Sequence, residues 1–174
     1  QDIQFSTASF SQTLNSWKSI YTASSDGSVV SNNGTFGWVI CDPLSTTRLI
    51  ECKGRASGFP MTSFRAEAFG IWSILLFVIK AHQHFELNPD YTISVHCDNK
   101  ALVNIIEHLM SRKRPQFPND TLKTDWDILN EIIILLKTSN QKISWVKGHQ
   151  DEGERFDELS LSAQLNCEAD KLAN

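Results

Sequence analysis

Five side chains in this sequence are of the types that hold metal ions or carry protons at neutral pH: Asp26, Glu67, Asp98, Asp170 and His149. Four carboxylates brought to one place cannot all ionise without mutual repulsion, so their convergence would call for hard cations with oxygen ligands, Mg2+ or Mn2+. A pair of such ions about 3.5 to 4 Å apart clamps the attacking and leaving oxygens of a phosphodiester displacement. Singly, most of these residues have plainer explanations. Asp26 precedes Gly27 as in a turn, Asp98 precedes Asn99 as in a helix cap, Asp170 suits a solvated helix face and His149 suits a loop. Glu67 resists such a reading. At about 100° per residue it falls roughly 40° from Ile71 and 20° from Val78, on the stripe that should face a core, where an uncompensated carboxylate is costly.

Whether the five meet depends on the elements that carry them. Three short strand-like runs, Ile20 to Ser25, Thr35 to Cys41 and Thr47 to Gly54, are separated by Asp26-Gly27, Asn32-Asn33-Gly34 and Asp42-Pro43, which predicts two successive hairpins. Thr62 to His84 has helical spacing, with Phe64, Ala68, Ile71, Leu75, Val78 and His82 on one face, and Asn88-Pro89-Asp90 stops it. Tyr91 to Cys97 alternates as a half-buried strand does, and Asn99 to Leu109 returns to helical spacing. A helix from Leu122 to Lys137, a strand Lys142 to Lys147, a polar loop from Gly148 to Leu159 and a helix to Leu172 complete the chain. The expectation is an α/β protein with a five-stranded mixed sheet, its first three strands antiparallel and the later ones parallel and helix-connected, flanked by helices.

Ligands on such sheets collect at the carboxyl ends of the parallel strands. Asp26, Glu67 and Asp98 map to one such edge, Asp170 can pack there from the last helix, and His149 follows the last strand as a mobile proton carrier. Arg112, Lys113, Arg114 and Lys123, spread around Pro115 and Pro118, form a small basic segment that could grip a few phosphates.

The composition bounds the alternatives. A chain of 174 residues corresponds to roughly one domain. Sixteen Lys and Arg against twenty Asp and Glu give a formal charge of −4, which disfavours a strong autonomous binder of polyphosphate. The apolar runs Ile71 to Ile79 and Ile132 to Leu136 fall well short of the roughly 20 residues that span a bilayer, so no membrane partner is expected. Cys41, Cys52, Cys97 and Cys167 show no zinc spacing and are expected to be reduced thiols of an intracellular protein, cytoplasmic or nuclear. The chain does not begin with Met and reads as a piece of a longer protein.

The motifs carry a family resemblance. Tyr21-Thr22-Ala23-Ser24-Ser25-Asp26-Gly27-Ser28 and Gly34-Thr35-Phe36-Gly37-Trp38 resemble the first hairpin of the ribonuclease H family. Arg65-Ala66-Glu67, Cys97-Asp98-Asn99, Trp145-Val146-Lys147-Gly148-His149 and Asn166-Cys167-Glu168-Ala169-Asp170-Lys171-Leu172-Ala173 look like its later motifs in the same order. The sequence is most similar to ribonuclease H domains of eukaryotic retroelements, which act beside a reverse transcriptase. The resemblance implies a ribonuclease H-like fold over residues 19–174, after an N-terminal extension or linker at 1–18. It further implies two Mg2+ or Mn2+ ions on Asp26, Glu67, Asp98 and Asp170, proton transfer or product release by His149, and hydrolysis of the RNA strand of an RNA/DNA hybrid to 3'-hydroxyl and 5'-phosphate ends. Substrate contacts are implied at Gly27, Ser28, Asn32, Asn99 and Lys100, with the basic segment Arg112, Lys113 and Arg114 where some relatives place a substrate handle.

The sequence departs from the family at several contacts. Ser63-Phe64 stands where many members have two Asn, Asn99-Lys100 where they have Ser-Gln, and Cys167 where a Glu is usual. Ser28 stands where a 3'-5' exonuclease of related fold would have a second acid, and a transposase or integrase would end its acidic set in Glu. The competing reading is a catalytically idle module of this fold, kept for protein or nucleic-acid contacts in a larger assembly.

Overall fold

The computed structural model describes residues 2–5, 20–86, 90–112 and 118–174. Its frame is a six-stranded sheet of β1 (Asp2–Phe5), β2 (Ile20–Val30), β3 (Asn33–Cys41), β4 (Arg48–Arg55), β5 (Thr92–Cys97) and β6 (Gln141–Trp145), in the order β1-β4-β3-β2-β5-β6. β1/β4, β4/β3 and β3/β2 pair antiparallel, and β2/β5 and β5/β6 pair parallel. The five expected strands therefore pair as expected. A sixth, β1, adds an edge strand from the segment read as an extension, a four-residue stretch that pairs antiparallel with β4.

Asp26-Gly27 is not the turn that its sequence suggested. β2 runs straight through it, with Asp26 opposite Gly37, and the hairpin turns at Ser31 and Asn32, whose φ values of 49° and 62° give the type I′ geometry that matches strand twist. The β-branched pair Val29-Val30 extends the ladder past the Asp-Gly pair, and the register overrides local turn preference.

The helices are α1 (Ser63–His84), α2 (Lys100–Ser111), α3 (Trp126–Lys137) and α4 (Leu161–Ala173). Thr62 caps α1 by accepting from the Arg65 N–H, Asn99 caps α2 by accepting from Leu102, and Ser160 caps α4 by accepting from Ala163. α1 lays Ala68, Ile71, Leu75 and Val78 on the sheet, where Phe36, Trp38 and Ile40 of β3 meet them, and Trp38 donates its ring N–H to Ser73 at 3.1 Å. The alternate β3 residues Val39 and Cys41 point to the other face and pack with Leu165 of α4. The result is a sheet between two helical layers.

α3 starts at Trp126, four residues later than the sequence suggested. Pro118–Leu122 forms a separate 3-10 turn, and Asp125, at φ 58°, breaks the path and gives its carboxylate to Arg65 at 2.9 Å. Among the described residues no helix is long and apolar enough to cross a membrane, and Cys41, Cys52, Cys97 and Cys167 are buried and unbridged.

Candidate active site

β2 and β5 run side by side with Ser25 opposite Cys97, so Asp26 and Asp98 each stand one residue further, at the end of the parallel pair. Asp26 keeps 6% of its surface exposed and accepts from the Gly27 N–H at 2.7 Å. Glu67 reaches the same place from the first turns of α1 because Gly27 has no side chain: a Cβ there would lie 2.6 Å from the Ala66 carbonyl carbon. Gly148 has the same role for the loop after β6, where a Cβ would lie 3.1 Å from the Asp98 carboxyl carbon. The close approaches that build the cluster rest on glycine.

Glu67 is 5% exposed and hydrogen-bonded to Asp26, and donor atoms of Glu67, Cys97 and Asp98 lie within 4.8 Å of one another. Burial, with Asp26 and Asp98 beside it, pushes the Glu67 carboxyl up to about 10. Burial, and then the charge of Asp98, raises Asp26 to about 6. Asp98 is raised by burial, with His149 acting in the opposite direction and Asp170 adding repulsion. The Asp26, Asp98 and Asp170 charges raise their neighbours, while the hydrogen bonds from Glu67 act the other way on Asp26 and Asp98, so the cluster shares a proton where a cation would relieve the same repulsion.

Asp170 is half-buried on α4 and close enough to act on both Asp26 and Asp98. Asn174 donates to its Oδ1 at 2.7 Å and accepts from the Ser28 hydroxyl at 2.7 Å, so one amide joins the last turn of α4 to β2 beside the acids. α4 itself is set by Gly37, where a Cβ would lie 2.8 Å from the Ala173 nitrogen, and by Arg48, which grips Glu168 and Gln164 at 2.9 to 3.2 Å. His149 is exposed at the rim in left-handed backbone, φ 50°.

The structure thus brings together Asp26, Glu67, Asp98, Asp170 and His149. Among the expected substrate contacts, Gly27 is covered by the α1 backbone, Ser28 is engaged with Asn174, and Asn32 sits exposed in the hairpin turn. Asn99 gives its carbonyl to the α2 cap, and Lys100 lies 5.3 Å from the Trp145 ring centroid, whose N–H donates to the Asp98 carbonyl at 2.9 Å. Arg112 lies at the end of α2, beside a cleft of about 280 Å3 that Phe64, Leu109, Lys123 and Trp126 also line. Lys113 and Arg114 lie outside the described residues.

Three contributors were not read from the sequence. Cys97 donates to Glu67 Oε2 at 3.6 Å, Asn174 holds Asp170, and Arg65 ties the start of α1 to Asp125 and Asp127 at 2.5 to 2.9 Å. The Cys97-Asp98 neighbourhood was visible in sequence, whereas the partners of Arg65, some 60 residues on, carry no local signal.

No family model and no curated protein matches the sequence. Solved structures do. The N-terminal ribonuclease H domain of a Mycobacterium tuberculosis protein, solved as a fusion with maltose-binding protein, aligns at TM-score 0.60 and 20% identity over 90% of this chain and 92% of that one. LC11 ribonuclease H1, solved in complex with an RNA/DNA hybrid, aligns at TM-score 0.59 and 18% identity over 87% and 92%. The protease-reverse transcriptase of prototype foamy virus aligns at TM-score 0.60 and 17% identity, over 88% of this chain and 20% of that longer one. The chain has the ribonuclease H fold.

Proposed function

We propose that this chain is an endoribonuclease that hydrolyses the RNA strand of RNA/DNA hybrids, leaving 5'-phosphate and 3'-hydroxyl ends, as one domain of a retroelement-type polyprotein with a reverse transcriptase neighbour. The observation that carries the reading is the cluster of buried Asp26 and Glu67 with half-buried Asp98 at the end of the parallel strands, with Asp170 beside it. Its donor set is carboxylate oxygen, which suits Mg2+ or Mn2+, and the raised Glu67 and Asp26 are groups that a cation would relieve. Asp26, Glu67, Asp98 and Asp170 would hold two such ions, which supply a lowered pKa to water and neutralise charge on the displaced oxygen.

The chain's own residues do the rest. Gly27 and Gly148 let α1 and the His149 loop close on the strand ends, so the acids stay fixed when substrate arrives. His149, exposed and next to Asp98, takes or returns a proton at the rim. Selection of RNA requires contacts to 2'-hydroxyls, for which Ser28, on the strand of Asp26, and Asn32, exposed in the turn that follows it, are the candidates.

The test is cleavage of a labelled hybrid by the purified protein. Activity should require Mg2+ or Mn2+ and stop in chelator, and Asp26→Asn and Asp98→Asn should each abolish it with the fold retained. Cleavage that persists in EDTA, or near-wild-type turnover by either variant, would overturn the assignment.

A further inference from the structure

Beyond the acids, β3, β4 and the end of α4 enclose a cavity of about 560 Å3 lined by Lys53, Arg55, Lys171, Thr35, Gly54 and the 172–174 turn. No Asp or Glu side chain lines it, in a chain whose net charge is −4. Lys53, Arg55 and Lys171 are exposed, and three cations converging from two elements on one groove are more than a solvated surface requires. Lys171 has a second occupation, with the Phe156 ring centroid 5.4 Å away, and it compensates the carbonyl end of α4. Lys53 and Arg55, on a strand, have no helix end to serve.

The groove is continuous with two features already described. Asn174 lines it and donates to Asp170, which places its inner end at the acid cluster. Thr35 and Arg55 also line the adjoining cavity of about 590 Å3 that reaches Asn32 and Gly58. A path therefore runs from the acids across the β3–β4 surface with cations along it. The Thr35 hydroxyl donates to the Ala173 carbonyl at 2.5 Å, which removes one acceptor that would repel an anion.

We propose that this groove takes backbone phosphates of the nucleic-acid substrate beyond the scissile position, with Lys53, Arg55 and Lys171 as its phosphate contacts. The inference rests on the reading of the acid cluster as a hybrid-cleaving site and adds to it a second strand contact on the α4 side. Phosphates fit because the contacts are charges without base-reading geometry, so binding there should be salt-sensitive and indifferent to sequence.

The experiment compares wild type with a Lys53→Gln, Arg55→Gln, Lys171→Gln variant, and with Lys53→Gln, Arg55→Gln alone so that any effect of losing the Lys171–Phe156 contact is separated. Fluorescence anisotropy against an 18-base-pair and an 8-base-pair hybrid, without divalent ions, gives affinity and its salt dependence. The triple variant should bind the long hybrid about tenfold more weakly, with the slope of log K against log salt reduced by about 2 to 3. The short hybrid, which spans less of the groove, should lose less affinity than the long one. Equal affinities and salt slopes for wild type and both variants would overturn the groove while leaving the cleavage assignment intact. Hybrid bound but never cleaved by wild type, with the slope still reduced in the variants, would retain the groove and overturn the cleavage assignment. Wild type that binds no hybrid at low salt would overturn the groove.

Discussion

Glu67 is the residue on which the cluster turns, since it is buried, hydrogen-bonded to Asp26 and raised to about 10 from an ordinary 4.5. A carboxyl raised on folding contributes stability that is complete below its unfolded value and is lost as pH climbs toward its folded value, so the metal-free protein should weaken from about pH 4.5 to 10. Glu67→Gln removes that cost. In EDTA at pH 8 it should be more stable than wild type by on the order of a few kcal/mol, with a higher unfolding temperature, and show a flatter pH profile while losing cleavage. Thermal melts from pH 5 to 9 decide it, and parallel profiles for the two proteins would show that Glu67 is not held protonated. His149 stands outside the donors, and His149→Ala should slow turnover by about 10 to 1000 fold without changing the Mg2+ midpoint, a range that overlaps the lower part of the usual worth of a proton-transfer group, about 10²–10⁴-fold. An unchanged rate would leave it an ordinary loop residue. At this scale much was legible in the sequence. Glu67 could be found because its helical angle put a charge on an apolar stripe, and Asp98 because it follows the last residue of an alternating strand. Asn174 could not, because its meaning lies in Ser28, 146 residues away.

The elements converge because small residues let them. Gly27 was read as half of a turn, and it is instead the point where β2 receives α1, so a local propensity and a tertiary contact shared one signal. Alternation and helical period placed the five longer strands and four helices, since those patterns are written by burial itself. The start of α3 was misplaced because Asp125 answers to Arg65, and β1 was missed because its pairing is an edge contact of four residues. Gly27→Ala tests the element-level account. The added methyl would meet the α1 backbone, which cannot rotate away, so α1 must move and carry Glu67 with it. A loss of about 1 to 3 kcal/mol in stability is expected from overpacking. The rate should fall more than that loss explains, by on the order of 100-fold, because catalytic groups displaced by about an ångström lose alignment. Measuring rate and stability together at a temperature where the variant is fully folded separates the two, and a wild-type rate would mean that this approach does not position Glu67.

At the scale of the whole molecule, the buried Asp26 and Glu67 sit with Asp98 and Asp170 at the strand ends, while exposed Lys53, Arg55 and Lys171 border the groove on the β3–β4 side and Arg112 lines the cleft beside α2. The total remains −4, so attraction for a polyanion comes from a few local charges and not from a general field. Each neutralised phosphate of a duplex contributes about 0.9 to the salt slope, and a handful of contacts gives binding that fades quickly as salt rises. The isolated chain should therefore hold hybrid weakly at physiological salt, and a covalently attached neighbour that grips the same duplex would raise the effective concentration without any new contact here. Arg112, Lys113 and Arg114 changed together to Ala should weaken hybrid binding further and flatten the salt slope by about 2 to 3, since charges that contact phosphate act through counterion release. The Mg2+ midpoint should stay where it is, because Arg112 lines a cleft walled by Phe64, Lys123 and Trp126, apart from the carboxylates. Anisotropy titrations at several salt concentrations, beside a Mg2+ titration of the same variant, read both quantities. Nanomolar binding by the wild-type chain at physiological salt, unmoved by the triple change, would refute both the charge argument and the assignment of that segment as a handle.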